Sequence, residues 1–223
     1  MKAKTKEKLV EIYRYVLGIP KTIYFNFKYF KITDALKFPV IVSHKTNFRH
    51  LNGSIKLDVV KTAIVKIGFN PTQTIDFKYD RTILDIQGEI VFKGKCYIGT
   101  GGKIQVKGYL EFGVNNNFNK TSIICQKEII FGNHVLFSWD NLVMDTDQHA
   151  ITDMKGIIIN QDKHIVFGNN IWVGCRCTIL KGTNIGNNIM IGANSTIRGK
   201  FIEENTIVAG NPATVVKKGI KWE

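Results

Sequence analysis

The fold is decided by residues 167–202, FGNNIWVGCRCTILKGTNIGNNIMIGANSTIRGKFI. Written in sixes, the stretch reads FGNNIW, VGCRCT, ILKGTN, IGNNIM, IGANST and IRGKFI. The first positions are Phe167, Val173, Ile179, Ile185, Ile191 and Ile197, and glycine fills the second at 168, 174, 186 and 192. An α-helix cannot hold a period of six on one face, and a hairpin sheet would need alternation of period two with turn pairs. A three-sided coil with one short strand per six residues satisfies both features. The apolar residue points into the prism, while Gly and Asn take the corner conformations. The chain is therefore expected to be all-β.

The same phase runs backwards through Phe131, Phe137 and Val143, and more ragged arcs precede it at 97–118, in LNGSIKL and in AIVKIGF. Between Val143 and Phe167 the repeat is broken, which predicts one inserted loop at about 147–165. Upstream, AKTKEKLVEIYRYVL (3–17) has Leu9, Ile12, Tyr13 and Val16 at helical spacing among Lys4, Lys6, Lys8 and Arg14. This predicts a short basic amphipathic helix ended by Gly18 and Pro20. Such a helix docks on its own protein or lies on an anionic membrane surface. The aromatic and β-branched residues that follow are expected to lead into strands. The division expected is 1–39 as helix and lead-in, 40–216 as the coil and 217–223 as a basic tail.

Composition narrows the function classes. The chain has 223 residues, 44% of them hydrophobic and 11% aromatic, with only 4 Pro, so a globular core is expected without long linkers. With 31 Lys+Arg against 18 Asp+Glu, the net charge is +13. Such a surface attracts nucleic acid, anionic membrane or phosphate-bearing small molecules. Neither Cys/His finger spacing nor an RNP-type aromatic strand is present, so no nucleic-acid partner is expected. The four cysteines, at 96, 125, 175 and 177, contain no CxxC, and a bridge between Cys175 and Cys177 would be strained. Reduced thiols in a cytoplasmic protein are the expectation. Glu11 and Arg14 interrupt the N-terminal apolar run, which makes a poor signal-peptide core and is too short to span a bilayer.

Where the repeat breaks, the chain reads MDTDQHAI (144–151). If this backbone were extended, Asp145, Asp147 and His149 would share one face. A metal site, a base with acidic neighbours and a polar turn all fit that pattern.

Several motifs together resemble those of the left-handed parallel β-helix acyltransferases of the hexapeptide-repeat type. NNIWVG (169–174) is similar to their Trp-containing arc, and IGNNIMIGANSTI (185–197) to their Ile-Gly and Ile-Gly-Ala pair. IVAGNPATVVKK (207–218) resembles their C-terminal Ala-Gly-Asn-Pro-Ala signature. SWDNLVMDTDQHAI resembles the Asp-x-x-His segment of members that acetylate sugars in surface-polysaccharide synthesis. The resemblance covers 88–223 well, 40–87 loosely and 1–39 weakly. It implies a homotrimer with active sites between neighbouring prisms, acetyl-CoA lying along the coils, and a sugar hydroxyl as acceptor.

The resemblance makes His149 the base. An imidazole titrates near pH 6.5, which suits proton abstraction from a hydroxyl as it attacks a thioester, and direct attack needs no acyl-enzyme. Asp147 is a candidate to orient the ring. Asp145 and Asn119 are candidates for binding the acceptor, with turn formation as the alternative for both aspartates. Trp172 would flank the pantetheine, beside Gly174, and the main-chain N–H of Cys175 would face the oxyanion, where relatives more often have a small residue such as Ser. Ala193 would let CoA pass close, and Arg198, Lys200, Lys217 and Lys218 could meet its phosphates. Relatives commonly carry Thr-Lys where this chain reads TIRGK. No metal is expected: a zinc site in this fold, as in γ-class carbonic anhydrase, needs three converging histidines, whereas His134, His149 and His164 are 15 apart and a coil takes 18 residues. The rival readings are an N-acetyltransferase on an amino sugar, a serine or antibiotic acetyltransferase, and a non-enzymatic binding β-helix.

Overall fold

The computed structural model describes residues 2–69 and 75–222, and over 2–8 the backbone alone. From Val40 the chain winds as a left-handed parallel β-helix with three faces. Among the described residues, face 1 holds nine strands, including Val135–Phe137, Ile171–Val173 and Ile189–Ile191. Among the same residues face 2 holds seven, including Leu142–Met144, Thr178–Leu180 and Thr196–Ile197, and face 3 holds seven, including Glu128–Phe131, Ile165–Phe167 and Asn184–Ile185. Registers stack like on like: Phe112 pairs with Phe131, Phe131 with Phe167, and Phe167 with Ile185. The all-β expectation and its six-residue phase hold, and the ragged arcs LNGSIKL and AIVKIGF are early strands of the same coil, with register shifts at Phe48/Leu51 and Ile67/Phe69.

The first residue of each six points inward. Phe167, Val173, Ile179, Ile185, Ile191 and Ile197 are each at most 1% exposed. Further up the prism the interior is a stack of rings, Phe92 on Phe112 at 5.1 Å, Phe112 on Phe131 at 5.6 Å and Phe131 on Phe167 at 5.1 Å. Burial of each such side chain contributes about 1.5–3 kcal/mol, so the core alone can hold the coil without disulfides. All four cysteines are free thiols.

The corners explain the Gly and Asn columns. On the edge between faces 3 and 1, Asn115, His134, Asn170 and Asn188 each take a left-handed φ between 56 and 59°. The neighbouring Asn133 N–H donates to Asn169 Oδ1, and Asn169 N–H to Asn187 Oδ1, both at 2.8 Å, so the side chains link one coil to the next. Glycine precedes these corners because the backbones nearly touch. A Cβ on Gly132 would lie 2.4 Å from the carbonyl oxygen of Gly168. Gly132→Ala is expected to destabilise the coil by about 1–3 kcal/mol, read as a lowered denaturation midpoint with an unchanged slope.

Two expectations are corrected. The N-terminal helix, α1 (Lys2–Tyr29), does not stop at Gly18 but runs on through Pro20. Gly18 faces Val42, whose carbonyl oxygen would lie 2.6 Å from an added Cβ, so the glycine serves close packing rather than termination. Pro20 is exposed, so its ring and the helix carbonyl it leaves unpaired stand on the solvent side. Residues 21–29, expected to lead into strands, are therefore helical, and after a short second helix, α2 (Ile32–Ala35), the first strand begins at Val40. At the other end, Ala213–Lys218 folds back antiparallel on Thr206–Gly210, so Lys217 and Lys218 lie in a strand.

Candidate functional site

The inserted loop leaves face 2 after Met144 and rejoins face 3 at Ile165. Asp145 forms its root. The residue is fully buried, and its carboxylate accepts from three consecutive backbone N–H groups of the coil below: Gln126 at 2.7 Å, Lys127 at 2.8 Å and Glu128 at 2.7 Å. These bonds satisfy a corner that has no ladder partner, because the loop departs where the next strand would have paired. Asp145 thus takes the turn-forming role and is not open to an acceptor.

The strand ends at Met144, and Gln148 turns through φ 61° with its N–H on Thr146 Oγ1. Asp145, Asp147 and His149 therefore do not share a face, since the alternation required extended backbone that this turn interrupts. Asp147 points instead to Lys181 Nζ at 2.5 Å and Asn160 Nδ2 at 2.8 Å. The Lys181 ammonium, with Asn160, holds the Asp147 carboxyl below its ordinary range. Asn160 ties the loop's two arms together. Its Nδ2 also donates to the His149 carbonyl at 2.9 Å, its Oδ1 accepts from Ile151 N at 2.6 Å, and its own carbonyl accepts from Lys181 at 2.5 Å.

This knot positions the backbone of His149 and leaves the ring free. The side chain is exposed, and among the described residues none makes a hydrogen bond to the imidazole. The ring lines a cavity of about 490 Å³ whose wall includes Gln105, Lys107, Gln126, Thr146 and Gln161. Amide and ammonium donors of this kind suit a ligand rich in hydroxyl or carboxylate groups. A smaller cavity of about 170 Å³ shares Asn160 and Gln161 with it and is bordered by Asp147, Lys163, Lys181 and Arg198.

The remaining candidates lie elsewhere on the prism. Trp172 projects from face 1, with its Nε1 3.3 Å from Ser138 Oγ and its ring 6.1 Å from that of Trp222. Gly174, Cys175 and Ala193 form the edge between faces 1 and 2. The Cys175 N–H, just past the strand Ile171–Val173, donates to no described residue. Asn119 is on this same edge, not beside His149, and its amide donates to the Phe137 carbonyl at 3.0 Å. Lys218 pairs with Glu203 at 2.8 Å, while Lys217 is exposed on the last strand. Lys200 is exposed on face 3. One prism therefore carries His149 at the edge of faces 2 and 3 and Cys175 with Ala193 at the edge of faces 1 and 2.

Asn160 and Lys181 were not foreseen. Asn160 lies inside the non-repeating loop, where no period marks it. Lys181 had a signal: Met144 registers with Leu180, so the next residue stands directly over the root of the loop. Among the described residues no group of three His, Cys, Asp or Glu side chains is placed to hold a metal ion. His134 sits at a left-handed corner, apart from His149 on the loop.

Removing the Lys181 ammonium tests the knot. Lys181→Ala is expected to loosen the loop, read as faster proteolysis within residues 150–158, while costing at most about 1 kcal/mol of stability, because the pair is partly solvated. The sign with pH follows from the lowered carboxyl. The pair's contribution is present above the unfolded carboxyl value and is lost only as pH falls through the depressed folded value. The loop is thus expected to stay tied across pH 5–8, checked by unchanged protease susceptibility of residues 150–158 over that range.

No protein-family profile matches the chain. Its sequence is 35% identical over 129 residues to the polysialic acid O-acetyltransferase of Neisseria meningitidis, covering 57% of this chain and 58% of that protein. It is 29% identical over 165 residues to a protein assigned as an O-acetyltransferase of lipopolysaccharide biosynthesis in Escherichia coli K12, covering 57% and 78%. It is 28% identical over 141 residues to an uncharacterized 24.8 kDa protein from the cps region of Klebsiella pneumoniae, covering 61% and 62%. The chain thus spans about three fifths of the Klebsiella and Neisseria relatives. Among solved structures, a polysialic acid O-acetyltransferase superposes with a TM-score of 0.46 at 22% identity, over 80% of this chain and 90% of that one.

Proposed function

We propose that this chain is an O-acetyltransferase that moves an acetyl group from acetyl-CoA to a sugar hydroxyl during surface-polysaccharide synthesis. The observation that carries the reading is His149: an exposed imidazole with no hydrogen bond from any described residue, held by a tied loop at the wall of a polar cavity. His134 and His164 are exposed too, and what sets His149 apart from them is its place on the wall of that cavity. The kinship to two O-acetyltransferases of surface glycans supports the same reading.

The chemistry balances without an acyl-enzyme. The His149 imidazole takes the proton as the sugar oxygen bonds to the thioester carbonyl carbon. The tetrahedral oxyanion needs a preorganised donor, and the free main-chain N–H of Cys175 is the group offered for it. The intermediate then collapses, the carbon–sulfur bond breaks, and the imidazolium returns its proton to the departing thiolate, leaving an acetyl ester and CoA. Asp147 is a positioning residue in this scheme, acting through Lys181 and Asn160 on the backbone of His149. Trp172, Gly174 and Ala193 remain the proposed CoA-facing residues, with Arg198, Lys200, Lys217 and Lys218 as phosphate partners.

Because His149 and Cys175 stand on different edges of one prism, a complete site needs the edge of faces 2 and 3 of one copy against the edge of faces 1 and 2 of another. This supports a homotrimer with sites between copies, working where acetyl-CoA is found, in the cytoplasm. The test is release of CoA thiol from acetyl-CoA with a panel of anionic and neutral glycans. Glycan-dependent release by wild type is expected, and Cys175→Ala is expected to keep it within about threefold, since only the main chain is used. Release that is absent with every glycan would overturn the proposal in favour of a binding β-helix.

A further inference from the structure

We propose that the outward face of α1 is a docking surface for an anionic lipid membrane. The inward face is fixed by specific contacts. Gly18, Thr22, Phe25, Asn26 and Tyr29 recur at helical spacing, and Asn26 Nδ2 donates to the Val40 carbonyl at 2.7 Å while Val42 N–H donates to Thr22 Oγ1 at 3.0 Å. The helix thereby lies on the first strand of face 1, and its rotation about its own axis is set.

That rotation leaves Leu9, Ile12, Val16, Ile19, Ile23 and Phe27 on the opposite side, each between 43 and 62% exposed. Their spacing of three and four residues makes one continuous apolar stripe, about 27 Å long at the rise of an α-helix. Beyond α1, Ile32 and Leu36 are also exposed apolar residues, at 68 and 60%. A stripe of this extent is far more than the isolated apolar side chains that soluble surfaces tolerate.

Charge selects the occupant. Lys2, Lys4, Lys6 and Lys8 open the helix and Lys28, Lys31 and Lys37 follow the far end of the stripe, against only Glu7, Glu11 and Asp34. An apolar stripe with lysines at both ends matches an anionic interface, where acyl chains take the stripe and headgroups the ammonium groups. Tyr13 and Tyr24, exposed at the borders of the stripe, fit the headgroup level. Pairing with a second copy would bring together two lysine clusters of a chain already at +13. Among the described residues no helix is long and apolar enough to cross a membrane, so α1 would lie in the plane of the interface. The proposal stands apart from the acetyl-transfer reading and needs none of its residues.

The test is co-sedimentation of the full chain with vesicles of phosphatidylglycerol and phosphatidylethanolamine, and with phosphatidylcholine alone, for wild type and the double variant Ile12→Asp/Ile19→Asp. Wild type is expected on the anionic vesicles, much less on the neutral ones, and less at high salt. The double variant is expected to partition on the order of 100-fold more weakly, with the same melting temperature. Wild type remaining in the supernatant with anionic vesicles at low salt would overturn the proposal. So would equal partitioning of the variant, which would assign the binding to charge alone, or a changed sedimentation coefficient of the variant without vesicles, which would assign the stripe to a second copy. A wild type that turns over acetyl-CoA but ignores vesicles would sink this proposal and leave the other intact.

Discussion

Replacing His149 by alanine is expected to lower kcat for acetyl transfer by about 100- to 10,000-fold, the range a positioned acid–base group supplies. The KM for acetyl-CoA is expected to change little, because the ring lies in the polar cavity and not on the face carrying Trp172 or the edge carrying Cys175. Stability is expected to stay within about 0.5 kcal/mol, since an exposed side chain with no hydrogen bond to a described residue is being removed. That combination separates a catalytic from a structural histidine. Equal turnover by the variant would remove His149 from the mechanism, and a collapse of the melting temperature would reassign it to the loop's architecture.

The second large effect belongs to a neighbour four residues away and has the opposite signature. Asp145→Ala removes one buried carboxylate that accepts three backbone N–H bonds, and leaves those donors without their acceptor at a part-buried corner. Charge-assisted bonds contribute about 1.5–3 kcal/mol each and share a single anion here, so a loss of about 3 kcal/mol is expected. For a chain of this size that corresponds to a fall in melting temperature of roughly 6–12 °C. Asp145→Asn is expected to recover only part of it, because the amide presents one acceptor and directs an N–H toward the donors. Activity below the melting transition is expected to fall through loosening of the loop root, not through loss of acceptor affinity. A variant with unchanged stability and a raised KM for the glycan would restore Asp145 to the binding site.

What the residues revealed in advance follows from where the repeat holds. Six aliphatic or aromatic first positions in phase are a constraint that only one geometry satisfies, and Phe167 through Ile197 are buried as that phase requires. The same logic fails where the period stops. Extended backbone through MDTDQHAI would put Asp147 beside His149, but the left-handed turn at Gln148 directs Asp147 to Lys181 and Asn160 instead, and neither residue announces that turn. Asn160 holds the loop through contacts 9, 11 and 13 residues away, a closure that no local pattern encodes. At the N-terminus, Gly18 and Pro20 read as helix breakers because their packing was invisible. One fits against Val42 and the other faces solvent, so local propensity lost to tertiary contact. Asn119 is an acceptor candidate by resemblance alone, and its place on the edge of faces 1 and 2 follows only once the corners are counted in three dimensions.

The central claim is ester formation on a sugar hydroxyl with His149 as base. Its most direct test is incubation of the chain with acetyl-labelled acetyl-CoA and a panel of surface glycans, followed by mild alkali. The expected result is label in the glycan that mild alkali releases as acetate, as an ester requires, and that is lost with His149→Ala. Label that resists alkali would be an amide and would contradict the hydroxyl acceptor, and alkali-labile label formed equally by His149→Ala would contradict the base.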